Sequence, residues 1–390
     1  MRPTEPAVAL AYLCPEEIEF AGPSATADML ERLGCDGAAL TYHPARLLLP
    51  RFGAVRHTPP GTCSFEPRRS AYDTLVPTPT AQAATVRAVH AFREELARRG
   101  IAFHAWLAVL HTEPLARLHP QFAAQTLDGK PTVDALCPSH ADVRRYGFNL
   151  VTDICDQFAP EGLKLEAVLE PSWLPSYTIS LELETLTQRA RPLVGQCFCR
   201  ACRAELVTGG SDPDFVLQET RAPAGPPFAV DCLLQVDPPA ALAALRAEVA
   251  ARMLAAVADA AHSARSRVRA LLFGEPQEVE LQGAAPSSLS AVDSVGIGME
   301  TATGEALRAH FLALGQLAGA QDLAASLNWS PARSPADFAA DVDRVVEAGA
   351  RAVALYNLSL TPTRGLDAFA AAARASREAL SRTLVPGATP

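Results

Sequence analysis

Short apolar runs alternate with longer amphipathic stretches along this chain, and the alternation recurs eight times. The runs predicted as strands are Val8–Leu13, Gly37–Tyr42, Ile101–Val109, Leu163–Glu170, Val268–Phe273, Ser294–Met299, Leu323–Asn328 and Ala352–Tyr356. Between them apolar residues return every three or four positions, as in Val86, Val89, Phe92 and Leu96, or Val143, Tyr146, Leu150, Ile154 and Phe158. That spacing predicts helices with one buried face. Ser139 with Asp142, and Ser334 with Pro335 and Asp337, mark helix starts; Gly34, Gly100, Gly319 and Gly349 mark stops.

Eight strand–helix pairs predict a (β/α)8 TIM barrel, an α/β fold that takes up the whole chain, 1–390, as one domain. Two stretches lack the period and read as insertions: 44–80, and 172–238 after the fourth strand. A doubly wound open sheet is the competing architecture, but no Gly-x-Gly-x-x-Gly follows any strand. There is also no P-loop, no Gly-x-Ser-x-Gly elbow and no repeat of 20–50 residues.

Charge narrows the partners. The net charge of -9 is spread without blocks of one sign, which argues against nucleic acid and anionic membrane surfaces. No apolar run reaches the ~18 residues of a membrane span. The apolar stretch Ala7 to Cys14 runs straight into Glu16 and Glu17, unlike a signal peptide. Nine cysteines without a secretory signal fit the reducing cytoplasm. The expected partner is a small-molecule or oligosaccharide substrate, with a homo-oligomer left open and no organic cofactor called for.

Three of those cysteines stand in the run Cys197-Phe198-Cys199-Arg200-Ala201-Cys202. Cys-x-Cys-x-x-Cys supplies three of the four ligands of a tetrahedral zinc more readily than it forms disulfides. The fourth could be Cys137, Cys155 or Cys232, and Cys137 is favoured because it opens a turn, Leu136-Cys137-Pro138-Ser139, that leads into a helix. Four thiolates leave no open position, so such a zinc is structural and ties down the insertion after strand four. The plainer alternative is a set of ordinary reduced cysteines.

In barrels of this kind chemistry sits at the carboxyl ends of the strands. Those ends carry Tyr42 and His43, then His104, Trp106 and His111, then Glu166 and Glu170, Glu275, Glu300, Asn328 with Trp329, and Tyr356 with Asn357. On strand four Lys164, Glu166, Val168 and Glu170 share one face by the two-residue period, and the opposite face is wholly apolar. Both glutamates therefore point into the barrel, Glu170 nearer the mouth and Glu166 near enough to Lys164 for an ion pair. Carboxylates from strands four, five and six, together with Tyr42, Trp106, Trp173, Trp329 and Tyr356, suggest a sugar site: aromatic faces stack on sugar rings and paired carboxylates cleave glycosidic bonds. On strand six Gly296 and Gly298 share a face with Glu300 and are expected to leave room for a ligand. A catalytic metal on His104, His111 and a glutamate is weaker, because no His-x-His or His-x-x-x-His pair occurs.

The run Leu136-Cys137-Pro138-Ser139…Arg144-Arg145-Tyr146, then a strand ending in glutamate, then Cys197-Phe198-Cys199-x-x-Cys202, resembles the glycoside hydrolase family 42 β-galactosidases over roughly residues 100–205. The resemblance implies a (β/α)8 barrel hydrolysing β-galactosides with retention. It also implies a structural zinc on Cys137, Cys197, Cys199 and Cys202, and an acid/base glutamate at Glu170 or Glu166. Two positions depart from the family pattern: Leu169, not Asn, precedes Glu170, and strand seven ends in Asn328-Trp329 where the nucleophilic glutamate would stand. The expected partner carboxylate is then Glu300, with Glu275 next. Two other classes fit the same pocket: a sugar-metabolite lyase or isomerase using Glu170 with His104 or His111, and a carbohydrate-binding barrel without catalysis.

Overall fold

The computed structural model describes residues 9–41, 46–57, 61–80, 82–169, 195–221, 239–299, 302–319, 321–331 and 333–384. Eight strands close into a parallel barrel: β1 (Ala9–Leu13), β2 (Gly37–Thr41), β3 (Ala102–Ala108), β4 (Gly162–Glu166), β5 (Arg267–Leu272), β6 (Ser294–Met299), β7 (Asp322–Asn328) and β8 (Ala352–Tyr356), with β8 pairing back onto β1. The expected TIM barrel is the observed fold.

Helices α1 (Pro23–Leu33), α2 (Ala83–Arg99), α3 (Ala141–Phe158), α4 (Ala240–Ser263), α5 (Pro276–Leu281), α6 (Gly304–Ala318), α7 (Pro335–Glu347) and α8 (Leu366–Leu384) follow the strands in turn. Their ends obey the sequence signals in most places. Ser334 and Asp337 form a reciprocal capping box at α7, and Gly34 and Gly100 end α1 and α2 in the left-handed conformation. Ser139 is a correction. His140 is the residue that precedes α3, and the Ser139 hydroxyl lies 3.2 Å from Cys202 Sγ instead.

Alternation along the strands divides two cores. Outward residues such as Phe103, Leu163, Val268, Ile297 and Leu355 pack against helices in one large cluster that also holds Phe311, Phe338 and Phe369. Each such ring is fully buried and contributes about 1.5–3 kcal/mol of transfer free energy. Inward residues form a smaller lumenal cluster of Leu10, Tyr12, Ala39, Trp106, Leu271 and Ala354, with Phe273 and Tyr356 at its edge.

A third cluster stands apart from both. It unites Cys137, Cys197, Phe198, Cys199, Cys202, Leu206, Val216, Leu242, Leu245 and Val249, so it joins the described part of the long insertion to α4. The other insertion contains an antiparallel hairpin, Arg46–Leu49 with Ala54–His57. Arg51 at its turn donates to the carbonyls of Leu358 (2.6 Å) and Thr361 (2.5 Å) and pairs with Glu17 Oε1 at 2.6 Å. The hairpin is thus stapled over the ends of β1 and β8. A second hairpin, Ala123–Gln125 with Pro131–Leu136, lies between β3 and α3 and has no counterpart in the sequence reading.

Candidate functional site

Glu166 ends β4 and faces the lumen, half-buried. The indole Nε1 of Trp106, on neighbouring β3, donates to its Oε2 at 2.7 Å. Trp106 is itself wedged edge-on between Tyr12 (centroids 4.8 Å apart) and Tyr356 (5.4 Å), and those two rings meet at 5.6 Å. Three aromatic rings from β1, β3 and β8 therefore floor the mouth and orient one carboxylate above them. Tyr12 was missed in the sequence, although its alternation with Ala11 and Leu13 places it inward. The lumen also holds polar side chains: His104, Lys164 and Arg269 are all buried, and Arg269 Nε donates to Ser294 Oγ at 3.0 Å.

The strand itself ends sooner than its sequence suggests. Ala167 adopts φ 45°, in the left-handed region, so the extended period stops at Glu166. Val168 then packs into the helix-facing core and does not share the face of Glu166. The two-residue period consequently carries no information about Glu170. Glu170, Trp173, Glu300, Tyr42 and His43 lie outside the described residues.

The expected space beside β6 is filled. A Cβ on Gly298 would collide with the Phe273 ring, and one on Gly296 would meet Leu271 Cδ2 at 2.5 Å and Arg269 Cδ at 3.0 Å. These glycines admit neighbouring side chains, not a ligand. At the end of β5, Glu275 is the exposed residue preceding α5, while Glu278 folds back: a Cβ on Gly274 would sit 2.7 Å from its Oε2. Pro276 at the first helical position makes Glu278 the third, where a glutamate turns back toward the strand end. That spacing was the available signal.

The remaining sequence candidates are dispersed. His104 is level with Gly162, four register steps before Ala108 and Glu166, so it lies about 13 Å down the strand at ~3.3 Å per residue. His111, past β3, bridges to Ala135 of the hairpin, with Nε2 3.8 Å from Asp134 Oδ2. Burial holds the His111 pKa below its ordinary value against the pull of Asp134. Asn357 is buried, accepting from Ser359 N at 3.0 Å and donating to Cys14 Sγ at 3.6 Å. The Trp329 ring packs against the backbone at Gly365, and the Asn328 carbonyl accepts from Arg333 at 2.7 Å.

The cysteines converge. Cys137, Cys197, Cys199 and Cys202 are all buried, and their sulfurs lie within 4.8 Å of one another. Three separations are 3.5 Å (Cys137–Cys202), 3.6 Å (Cys137–Cys199) and 3.7 Å (Cys199–Cys202). A tetrahedron with metal–sulfur bonds of ~2.3 Å has edges of about 3.8 Å, so the donor set fits an ion. Backbone N–H groups of Gln125 (3.1 Å) and Cys199 (3.5 Å) point at Cys197 Sγ, and His140 Nε2 is 3.5 Å from Cys199 Sγ. Hydrogen bonds from Cys137 pull the thiols of Cys199 and Cys202 down, the latter to about 6, while those of Cys137 and Cys197 are pushed up. Cys155 lies elsewhere, 3.7 Å from Ser266 Oγ, and Cys232 is outside the described residues.

No protein-family model matches the chain, and no curated protein sequence is significantly similar to it. Solved structures are more informative. The glycoside hydrolase domain of PgaB (BpsB) from Bordetella bronchiseptica aligns with TM-score 0.60 at 15% identity, over 91% of this chain and 95% of that one. The catalytic domain of β-amylase from Paenibacillus polymyxa aligns with TM-score 0.57 at 13% identity, over 98% and 100%. A β-galactosidase from the psychrophilic Marinomonas ef1 gives 0.54 at 11%, over 96% of this chain and 60% of that one. The shared fold is the (β/α)8 barrel. At these identities the likeness is one of fold, and it does not single out family 42. No described helix is long and apolar enough to cross a membrane.

Proposed function

We propose that this chain is a glycoside hydrolase-like enzyme acting on a sugar-containing small molecule or oligosaccharide, with Glu166 as one of two catalytic carboxyl groups. The observation that carries the reading is the lumen-facing carboxylate of Glu166 at the carboxyl end of β4, oriented by Trp106 over an aromatic floor. Glycosidases need a second carboxyl group: one protonates the leaving oxygen while the other attacks the sugar or activates water. Glu170 and Glu300 remain candidates for it from their sequence positions. Glu278 joins Glu275 as the candidate from β5, because its carboxylate turns back to the strand end. A separation of about 5–5.5 Å between the pair means retention, and about 6.5–9.5 Å inversion.

The four cysteines are proposed to hold a structural zinc, since a closed set of thiolates suits zinc and leaves no position for substrate. A zinc bound there would supply folding free energy by cross-linking the insertion, through Cys197, Cys199 and Cys202, to Cys137 in the turn before α3. The lyase or isomerase alternative pairs Glu170 with His104 or His111, and of these His104 lies far down the lumen from the end of β4. A panel of aryl glycosides spanning sugars and both anomers tests the proposal. Turnover is expected with at least one member; saturable binding without turnover means a carbohydrate-binding barrel, and the absence of both turnover and binding overturns the glycosidase reading.

A further inference from the structure

The buried guanidinium of Arg246 belongs to neither the lumen nor the helix-facing core. Arg246 lies within α4, fully buried, and its side chain enters the cysteine cluster. Nη1 is 3.4 Å from Cys202 Sγ, Nη2 donates to the Cys197 carbonyl at 2.5 Å, and Nε donates to Gln196 Oε1 at 2.8 Å. Gln196 passes the contact on, its Nε2 donating to the Leu281 carbonyl at the end of α5 (3.4 Å). The position is also fixed from the far side. Gly283, at φ 100°, brings the turn after α5 so close to α4 that an added Cβ would run into the Arg246 carbonyl.

The geometry points to Arg246 as the positioning residue of the metal centre, a fixed cation that offsets the charge of the loaded cluster and holds two ligand residues in register. The inference rests on the proposal that the four thiols bind a metal. A divalent ion with four thiolates carries two net negative charges, and burying such a group is costly unless cations and N–H donors face it. The N–H groups of Gln125 and Cys199 supply dipoles, whereas Arg246 supplies a full charge. Its planar fork matters as much: three different donors on one rigid group reach a ligand sulfur, a ligand carbonyl and the side chain next to a ligand. A lysine in that place keeps the charge and loses the fork.

The test measures metal retention. Metal content of purified full-length protein is determined by elemental analysis, and its transfer to an excess of a chromogenic chelator is timed for the wild type, R246M, R246Q and R246K. The neutral variants are expected to release metal at least about 10-fold faster, the scale on which groups around metal ligands act, with R246K intermediate. Cobalt-substituted protein should show an altered thiolate-to-metal charge-transfer band in the neutral variants, a change that loss of packing alone would not cause. If R246M fails to fold, R246Q, with its polar head, supplies the same comparison. Release within about two-fold of wild type in the neutral variants overturns the inference while leaving the metal centre intact. A wild-type protein purified without metal, and taking up none, overturns the metal centre itself and this inference with it.

Discussion

Replacing Trp106 by Phe removes the indole hydrogen bond that orients Glu166. The indole N–H to Oε2 distance is 2.7 Å, and Trp106 is 4% exposed. A hydrogen bond to a charged acceptor contributes about 1.5–3 kcal/mol. The phenyl ring keeps most of the edge-on contact with Tyr12 and Tyr356 but is smaller, adding about 1 kcal/mol for the volume lost. The total expected cost is therefore about 2.5–4 kcal/mol. With Glu166→Gln in place the acceptor is neutral, a bond worth about 0.5–1.5 kcal/mol, so Trp106→Phe should cost about 1–1.5 kcal/mol less in that background. Equilibrium unfolding in urea of wild type, both single variants and the double variant closes the cycle, with unchanged slopes required for the comparison. Additivity within about 0.5 kcal/mol would mean that the two side chains are not coupled, and the orientation argued for Glu166 would fall.

Gly298→Ala should destabilise by about 1–3 kcal/mol, because its methyl group meets the Phe273 ring inside a packed lumen; calorimetry showing no loss would contradict that packing. Cys199→Ser should abolish metal binding and expose 195–221 to proteases before the barrel unfolds, since that segment packs in a cluster of its own; simultaneous loss of both would refute the separation. Burial raises the carboxyl pKa of Glu17 above its ordinary value, and the Arg51 pair only partly opposes this. A raised folded pKa means that the folded state holds the proton more tightly, so the ionised group costs stability at neutral pH. That cost is relieved as pH falls through the folded pKa, and the effect is constant below the unfolded value near 4.5. Relative to Glu17→Gln, the wild type should accordingly gain stability on acidification from pH 7; a gain on going to higher pH would contradict the assignment.

The barrel was legible because its signal is repeated. Ser294–Met299 and Ala352–Tyr356 were read to the residue, and the described ends of most other strands fell within one position. Strand β4 ran four residues short, since a left-handed alanine leaves no mark in apolar–polar alternation. The four cysteines were readable from spacing and from the turn at Cys137, and their convergence depends on little else. Arg246 was not readable, for a cation in an amphipathic helix looks like a solvent-facing residue until the neighbouring element is known. The glycines of β6 misled for a related reason: a missing side chain marks a close approach but does not say what approaches. Glu278 was hidden by Glu275, which stands at the strand end in sequence but faces solvent.

The most direct test of the central claim is steady-state turnover of the best aryl glycoside by wild type and Glu166→Gln, paired with a thermal melt to establish that both are folded. If Glu166 is one of the catalytic carboxyl groups, kcat/KM falls by at least ~100-fold in the glutamine variant while the fold is retained. A folded Glu166→Gln protein with turnover close to wild type would contradict the account.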